Sequence, residues 1–444
     1  MPTLEEIYTS CEDGNYIDPS LYSRYRVKAG LRNENGTGVK VGLTKICDVI
    51  GYTMIHGHKH NIDGQLIYRG CTIDQLARLS RPGCIDGYER TAFLLIFGRL
   101  PDDMELAQFS KVLKTDIHTD FISAHYPTSS LVNAMQIEVL KLYAQDPNPD
   151  NDKLEERMLK GISILATMPL FVFSNYCDRK FVSYPLPRAS LAENILSMAR
   201  QGGSFTQAEA KVLDSLLIAH ADHGGGNNST FTNVVLSSTG TDIYSCISAA
   251  LGSLKGPRHG GAAYKSAEQF EAMLKEVGVT TDHEVLEDLA YRMLGHQFYD
   301  KSGLVYGIGH AVYTKSDPRA QLIKQACVTL AEEKEMTDEF AMLEAFEKVA
   351  CEAVRRVKNT EACANVDFYS GFAYRMLGIE ASLFTPLFAI ARTAGWIAHH
   401  LENRQSNRKL IRPANIYVGE RRTINFHQPA AASFYPCADQ ENKD

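Results

Sequence analysis

The sequence predicts a nearly all-α protein. Apolar residues recur at helical spacing through much of the chain, and several of these stretches follow a residue that can cap a helix. Thr206-x-x-Glu209 is a capping box ahead of an apolar stripe that ends at His220. Strand candidates are few and short, at 66–68 and 416–418. This pattern excludes a doubly wound nucleotide-binding fold, in which strands and helices alternate.

Further helices follow from the same reasoning. Asp242 can cap a helix whose apolar stripe runs to Leu254, and another helical run begins at Ala262. The remaining predicted helices contain 322–330, 343–354 and a segment that begins at Thr385-Pro386. A proline in the first turn costs no hydrogen bond, so it favours a helix start there.

Composition indicates a soluble globular protein. The chain has 444 residues, of which 44% are hydrophobic and 22% charged. Its net charge of −7, without basic runs, makes nucleic acids and anionic membranes poor partners. The longest apolar stretch, 162–173, contains Pro169 and is too short to span a bilayer. Because the N-terminus also lacks a targeting pattern, we expect a cytoplasmic protein.

Neither a disulfide framework nor a metal centre is indicated. The 10 cysteines are scattered and form no C-x-x-C pair, so we expect reduced, mostly buried thiols. The tract from His56 to His60 contains three histidines, but no acid or cysteine stands at ligand spacing. We therefore predict an exposed loop at this tract and no metal site.

Two motifs combine histidine with glycine. Three consecutive glycines follow His220 and His223 and would let the backbone approach a small ligand closely, although a polar helix end is the alternative. His259 follows a break at Gly256-Pro257 and precedes a helical run. A histidine near a helix N-terminus tends to stay neutral and can donate to a carbonyl oxygen that becomes an enolate. A solvated turn histidine is the alternative there.

The segment from Gly307 to Arg319 fails as a phosphate-binding fingerprint. Val312 replaces the third glycine, and no strand precedes the motif. What remains is a flexible loop that carries His310, followed by Arg319 at the start of a helix. An arginine in that place can hold a carboxylate through two hydrogen bonds.

The last candidates lie near the C-terminal end. Asp367 precedes the apolar run 372–379, where it is either a functional carboxylate or only a helix N-cap. Phe388 and Arg392 share a helical face, and an arginine on such a face needs an anion or a carboxylate partner. Arg412 is a further cation, in Ile-Arg-Pro.

Taken together, these segments resemble the citrate synthase family, in the type with a large and a small helical domain. Gly307 through Arg319 fits the family signature G-x-G-H-x-V…D-P-R. His-x-Asp-His-Gly-Gly, Gly-Pro-x-His-Gly-Gly, Val-Asp-Phe-Tyr-Ser-Gly and Ile-Arg-Pro follow the family's order. The resemblance implies an all-α fold with a large domain over 1–261 and 378–444, and a smaller mobile helical domain over 262–377.

The resemblance also implies residue roles. The catalytic residues would be His259, His310 and Asp367. The dicarboxylate would be bound by His223, Arg319, Arg392 and Arg412, with Arg412 contributed by the other subunit of a homodimer. Phe388 would pack on the substrate, and the loop near the adenine of coenzyme A would comprise Val305, Tyr306, Gly307, Ile308 and Gly309.

The implied reaction is the condensation of acetyl-CoA with oxaloacetate, followed by hydrolysis of citryl-CoA to citrate and CoA. Such an enzyme is an acyltransferase that converts the acyl group into an alkyl group on transfer, and it needs no permanently bound cofactor. Two alternatives stay open. One is 2-methylcitrate synthase, which uses propionyl-CoA, and the other is a non-catalytic helical dimer of the same family.

Overall fold

A computed structural model describes residues 16–33, 35–80, 83–115, 130–177, 183–256, 259–406 and 409–419. The chain divides into two compact units, one formed by the described parts of 1–34 and 411–444, and the other by 35–410. Every candidate site residue except Arg412 lies in the unit 35–410. The predicted division into a large and a small domain stays a prediction.

Helices dominate the described chain, as predicted. In the first half they are α1 (Ser20–Arg24), α2 (Ile73–Ala77), α3 (Gly87–Phe97), α4 (Asp103–Thr115), α5 (Leu131–Gln145), α6 (Leu154–Tyr176), α7 (Leu191–Ala199) and α8 (Gln207–His220). In the second half they are α9 (Asn228–Ser237), α10 (Ile243–Leu254), α11 (Ala262–Val277), α12 (His283–Leu294), α13 (Pro318–Glu333), α14 (Thr337–Lys358), α15 (Val366–Met376) and α16 (Phe384–Ser406). Two short 3₁₀ turns span Ala29–Leu31 and Ala381–Leu383.

Local sequence chemistry sets several of these boundaries. The Thr206 hydroxyl accepts a hydrogen bond from the backbone N–H of Glu209, whose carboxylate accepts one from the backbone N–H of Thr206. Asp242 caps α10 by accepting from the backbone N–H of Ser245 at 2.7 Å. The last long helix begins one residue earlier than predicted, at Phe384.

The strand predictions were largely wrong. β1 (Cys47–Ile55), β2 (His58–Tyr68) and β3 (Cys71–Thr72) form an antiparallel sheet in that order. The predicted segment 66–68 is only the end of β2, and 416–418 is not a strand. Much of the β1–β2 hairpin is exposed or half-buried, so its polar residues give no clear alternation. The histidine tract lies at the hairpin turn and the start of β2; it is largely exposed, as predicted, but not a loop throughout.

Two apolar helices were harder to judge from sequence. The stretch 162–173 lies inside α6, a 23-residue helix that continues through Pro169, so the helix is longer than the apolar stretch alone. Both α6 and the segment Ala381–Ser406 are long and apolar enough to cross a membrane, but 83% of each apolar window is buried inside the protein. The core helices of a large globular domain are also long, apolar and mostly buried, so they pass the same test of length and composition.

Helix α16 runs through the core of the larger unit. It packs against α3, α6, α8, α9 and α10, and the indole of Trp396 is fully buried. The same helix buries a guanidinium and two imidazoles: those of Arg392, His399 and His400. Buried charges at the centre of an apolar core require specific partners or a ligand. The cysteines within the described residues are all free thiols, in line with the sequence.

Candidate active site

Hydrogen bonds from Tyr68 of β2 hold the turn that follows α8. The Tyr68 hydroxyl donates to the carbonyl of Asp222 at 2.8 Å, and the backbone N–H of Asp222 lies 3.2 Å from the same hydroxyl oxygen. The Asp222 carboxylate accepts from Nε2 of His399 at 2.9 Å, and both side chains are buried. Burial alone would raise the pKa of Asp222, but His399 and Arg392 outweigh it and hold this pKa below its usual value. The carboxylate that directly precedes His223 in the chain is therefore ionised.

The ring of His223 contains a buried nitrogen that is available to a ligand. Its ring packs edge-on against the rings of His310, at 5.1 Å, and Tyr313, at 5.7 Å. Nε2 is buried and has no hydrogen-bond partner among the described residues. Burial, reinforced by Arg319, holds the pKa of His223 well below its usual value, so the ring is neutral. A buried polar atom left unpaired costs about 1–3 kcal/mol, which makes this position a candidate for a ligand contact.

The side chain of Arg392 has two such buried nitrogens, whereas that of His223 has one. Its Nε donates to the carbonyl of His220 at 2.7 Å, while Nη1 and Nη2 are buried without a partner in the described part of the chain. Its guanidinium lies 4.6 Å from the centre of the Phe388 ring, which in turn packs on the ring of His220 at 4.4 Å. Two parallel N–H donors in this fork match the two oxygens of a carboxylate.

Arg319, predicted to bind the dicarboxylate, also forms an ion pair within the protein. It lies in the first turn of α13, where Nε and Nη2 donate to the two carboxylate oxygens of Asp317 at 3.0 and 2.7 Å. Burial lowers the pKa of Arg319, but this ion pair outweighs burial and raises it. The pair leaves Nη1 for a further contact, and the guanidinium lies over the ring of Tyr313 at 5.7 Å.

The hydrogen bonds of His310 indicate a neutral ring that can donate from Nε2. The backbone N–H groups of Val312 and Tyr313 both donate to its Nδ1 at 3.1 Å, so Nδ1 carries the lone pair and Nε2 carries the proton. The loop before it is tied to the start of α15: Asn365 donates to the carbonyls of Gly307 and Gly309, each at 2.8 Å. His310 and Asp367 are therefore held by one set of contacts.

Asp367 is not the helix cap. Asn365 caps α15, and its side chain accepts from the backbone N–H of Asp367 at 2.9 Å. The alternative that Asp367 serves only as an N-cap is wrong. Burial raises the pKa of Asp367 to about 6, against the opposing effect of Arg319. A carboxylate with this pKa is a stronger base than an exposed aspartate and is still ionised near neutral pH.

His259 is neutral, but for a different reason from the predicted one. Burial comes first and Arg392 second in lowering its pKa to about 4, so the helix terminus is not the main cause. Its Nε2 lies 3.2 Å from the hydroxyl of Ser229, which also accepts from the indole N–H of Trp396 at 3.3 Å. Pro257 and Arg258 of the same motif lie outside the described residues.

The positive charge of Arg392 acts on several of these groups. Arg392 lowers the pKa of His223, His259 and Asp367, so the residues predicted from three separate motifs share one electrostatic environment. Within the ranges that the structure describes, no three His, Cys, Asp or Glu side chains approach closely enough to hold a metal ion.

The predicted coenzyme loop and Arg412 give less information. The Val305 side chain is buried, and the Tyr306 hydroxyl donates to Asp300 at 2.7 Å. Ile308 forms a bridge with Ala364. Arg412 belongs to the other compact unit, where its side chain is exposed. The roles assigned to these residues stay predictions.

Several contributing residues were missed from sequence. Asp222, Tyr313 and Asp317 belong to the motifs but were assigned no role. For the two aspartates the available signal was their position, since Asp222 adjoins His223 and Asp317 lies two residues before Arg319. Ser229 and His399 contact the site through partners far away in sequence. Their roles required the fold.

Comparison with known proteins decides the family. A family model described as citrate synthase, C-terminal domain, matches residues 33–414. The chain belongs to the citrate synthase family. It is 34% identical to the citrate synthase of Deinococcus radiodurans over 370 residues, which cover 81% of this chain and 91% of that protein. It is 31% identical to the citrate synthase of Saccharolobus solfataricus over 386 residues, which cover 84% and 94%.

Solved citrate synthase structures share the fold. The Thermoplasma acidophilum enzyme was solved as a ternary complex with carboxymethyl coenzyme A and oxaloacetate. It matches this chain with a TM-score of 0.72 at 26% identity, covering 90% of this chain and 98% of that one. The Thermotoga maritima enzyme matches with a TM-score of 0.69 at 28% identity, covering 92% and 98%. These matches confirm the predicted all-α fold class of the citrate synthase family.

Proposed function

We propose that this member of the citrate synthase family condenses acetyl-CoA with oxaloacetate and releases citrate and CoA. The observation that carries the proposal is the fork of Arg392, whose two buried Nη atoms have no partner among the described residues. Together with the buried Nε2 of His223 and with Nη1 of Arg319, this fork offers polar contacts for a small dicarboxylate in a chain of net negative charge. Phe388 would pack against the bound substrate.

His310 suits the activation of a ketone. Its Nε2–H is fixed by the hydrogen bonds at Nδ1, so the ring can donate to the keto oxygen of oxaloacetate without rotating or exchanging tautomers. A donor that is already oriented stabilises the negative charge that develops on this oxygen as the carbon is attacked.

Asp367 and His259 suit the activation of acetyl-CoA. Asp367 takes a proton from the methyl group, and the electrons of the broken C–H bond move into the thioester as an enolate. Neutral His259 donates to the enolate oxygen. The enolate carbon then bonds to the keto carbon of oxaloacetate, whose oxygen takes up the Nε2 proton of His310 and gives citryl-CoA. Water hydrolyses this thioester and releases the CoA thiol, so no permanently bound cofactor is required.

Two further features belong to this proposal. The backbone of Val305 to Gly309 would lie near the adenine of CoA, and Arg412 would complete the dicarboxylate site of the partner in a homodimer. A soluble cytoplasmic enzyme fits this reaction, because both substrates are water-soluble anions.

The direct test mixes the purified protein with oxaloacetate and acetyl-CoA, follows release of free thiol, and identifies the product by mass spectrometry. We expect oxaloacetate-dependent thiol release and one equivalent of citrate for each thiol. Propionyl-CoA in a parallel reaction would give faster turnover if the protein were a 2-methylcitrate synthase. Absence of thiol release with both thioesters would contradict catalysis and favour a non-catalytic dimer.

A further inference from the structure

One tyrosine ring contacts three of the groups assigned above. Tyr313 is fully buried, and the ring of His310 stacks on it at 4.7 Å with an interplanar angle of 22°. On the same ring, His223 packs edge-on at 5.7 Å and the guanidinium of Arg319 lies at 5.7 Å. The position of this ring therefore determines how two imidazoles and one guanidinium are spaced.

The β1–β2 hairpin holds the same ring from its other side. The Tyr313 hydroxyl donates to the carbonyl of Gln65 at 3.3 Å, and the backbone N–H of Gly64 donates to the Ser316 hydroxyl at 3.1 Å. That hydroxyl donates in turn to Asp63 at 3.1 Å. Three consecutive residues of β2 thus bond to the loop that carries His310.

The packing is too close for any side chain at one position of β2. A Cβ atom on Gly64 would lie 2.7 Å from Cδ1 of Tyr313 and 2.9 Å from Cδ of Pro318, and it would overlap the carbonyl oxygen of Ser316. Gly51 on β1 is similarly close, since its Cβ would lie 2.5 Å from the carbonyl oxygen of Val312. Separations below 3.0 Å force the neighbouring atoms to move.

We propose that Tyr313 is a positioning residue for the oxaloacetate site, and that the hairpin sets the position of its ring through the close contact at Gly64. The proposal rests on the proposed function. It explains why this hairpin, much of which is exposed or half-buried, is attached to the loop. The loop is long and glycine-containing, and by itself it would not fix His310 to the precision that catalysis requires.

The first test compares Gly64→Ala with Gly42→Ala, a matched control whose added Cβ would meet nothing within 4 Å. For Gly64→Ala we expect the KM for oxaloacetate to rise at least tenfold and kcat to fall, because the displaced ring shifts His310 and Arg319. Gly42→Ala should keep both constants within twofold of wild type. Wild-type constants in Gly64→Ala would overturn the proposal.

A second pair of variants keeps the proposal testable if Gly64→Ala does not fold. Tyr313→Phe removes only the bond to Gln65 and keeps the ring, so its KM for oxaloacetate should stay within about threefold of wild type. Tyr313→Leu removes the ring and should raise that KM at least tenfold. Equal KM values in the two variants would contradict a positioning role. If the wild-type protein itself releases no thiol, the proposed function fails instead, and the two failures are distinguishable.

Discussion

At the residue scale, two aspartates of the site show how partners decide the effect of burial. Asp222 is buried but receives a hydrogen bond from His399 and faces Arg392, which together lower its pKa. Burial raises the pKa of Asp367 to about 6, because the opposing effect of Arg319 is too small to offset desolvation. The first carboxylate is thus a fixed charge, and the second is a base that can take up a proton near neutral pH.

Replacing Asp367 with Asn removes the base and keeps the shape of the side chain. The Asn365 cap accepts from the backbone of residue 367, so the start of α15 should be retained. We expect thiol release to fall by orders of magnitude, while oxaloacetate binding measured by calorimetry stays within a few fold of wild type. Retention of a tenth or more of the wild-type rate would contradict the assignment of Asp367 as the base.

At the element scale, α3 and α8 bring two carboxylates together in the core. Asp214 of α8 accepts from the backbone N–H of Tyr88 at 2.9 Å, and its other oxygen has no partner within the described ranges. Burial, together with the charges of Glu89 and Asp86, raises the pKa of Asp214 to about 7 against the opposing effects of Tyr88 and Lys211. The folded state therefore binds a proton that the unfolded state releases near pH 4.

This bound proton makes the stability of the folded state depend on pH. Because the pKa is higher in the folded state, the free energy of unfolding falls as the pH rises from about 4 to about 7. Asp214→Asn keeps an oxygen acceptor and removes this titration. We expect Asp214→Asn to lose less melting temperature between pH 5.5 and 8 than wild type, by thermal unfolding. Asp288→Asn on α12, where the carboxylate is 66% exposed, is the control and should behave as wild type.

Elements whose boundaries are set locally could be predicted from the sequence. The caps at Thr206 and Asp242 involve partners within three residues, so the pattern contains all the necessary information. The hairpin could not be predicted, since much of it is exposed or half-buried and its residues show no clear polar–apolar alternation. Within the site, the residue types were predictable from the motifs. The pairing of Asp222 with His399, 177 residues apart, was not.

At the scale of the whole molecule, the site residues come from both predicted domains. His310, Arg319 and Asp367 lie within 262–377, whereas His223 and Arg392 lie outside it. If the two predicted domains close around the site, a dicarboxylate that contacts both groups would bind the closed arrangement more tightly, and only such differential affinity could shift the equilibrium. We expect a non-reactive acetyl-CoA analogue to bind more weakly without oxaloacetate, by about 1–3 kcal/mol or more in calorimetry. Equal affinity in both conditions would leave closure without support.

Subunit exchange tests the role proposed for Arg412. Arg412→Ala and Arg319→Ala chains should each be inactive, but a mixed dimer should regain one working site, because one site draws both arginines from intact positions. Activity would be measured after the two chains are co-expressed with different affinity tags and the mixed dimer is purified. A mixed dimer without activity would place Arg412 within its own chain's site or outside any site.

The central claim is that the two Nη atoms of Arg392, which have no partner in the described part of the chain, bind a carboxylate of oxaloacetate. Calorimetric titration of oxaloacetate tests this claim most directly. Arg392→Gln loses two charge-assisted hydrogen bonds worth about 1.5–3 kcal/mol each, so its affinity should fall about 100-fold or more. The control is Arg404→Gln, on the same helix, where the arginine pairs with Asp152. The proposed site predicts wild-type affinity in Arg404→Gln and its loss in Arg392→Gln. Wild-type affinity in both variants would contradict it.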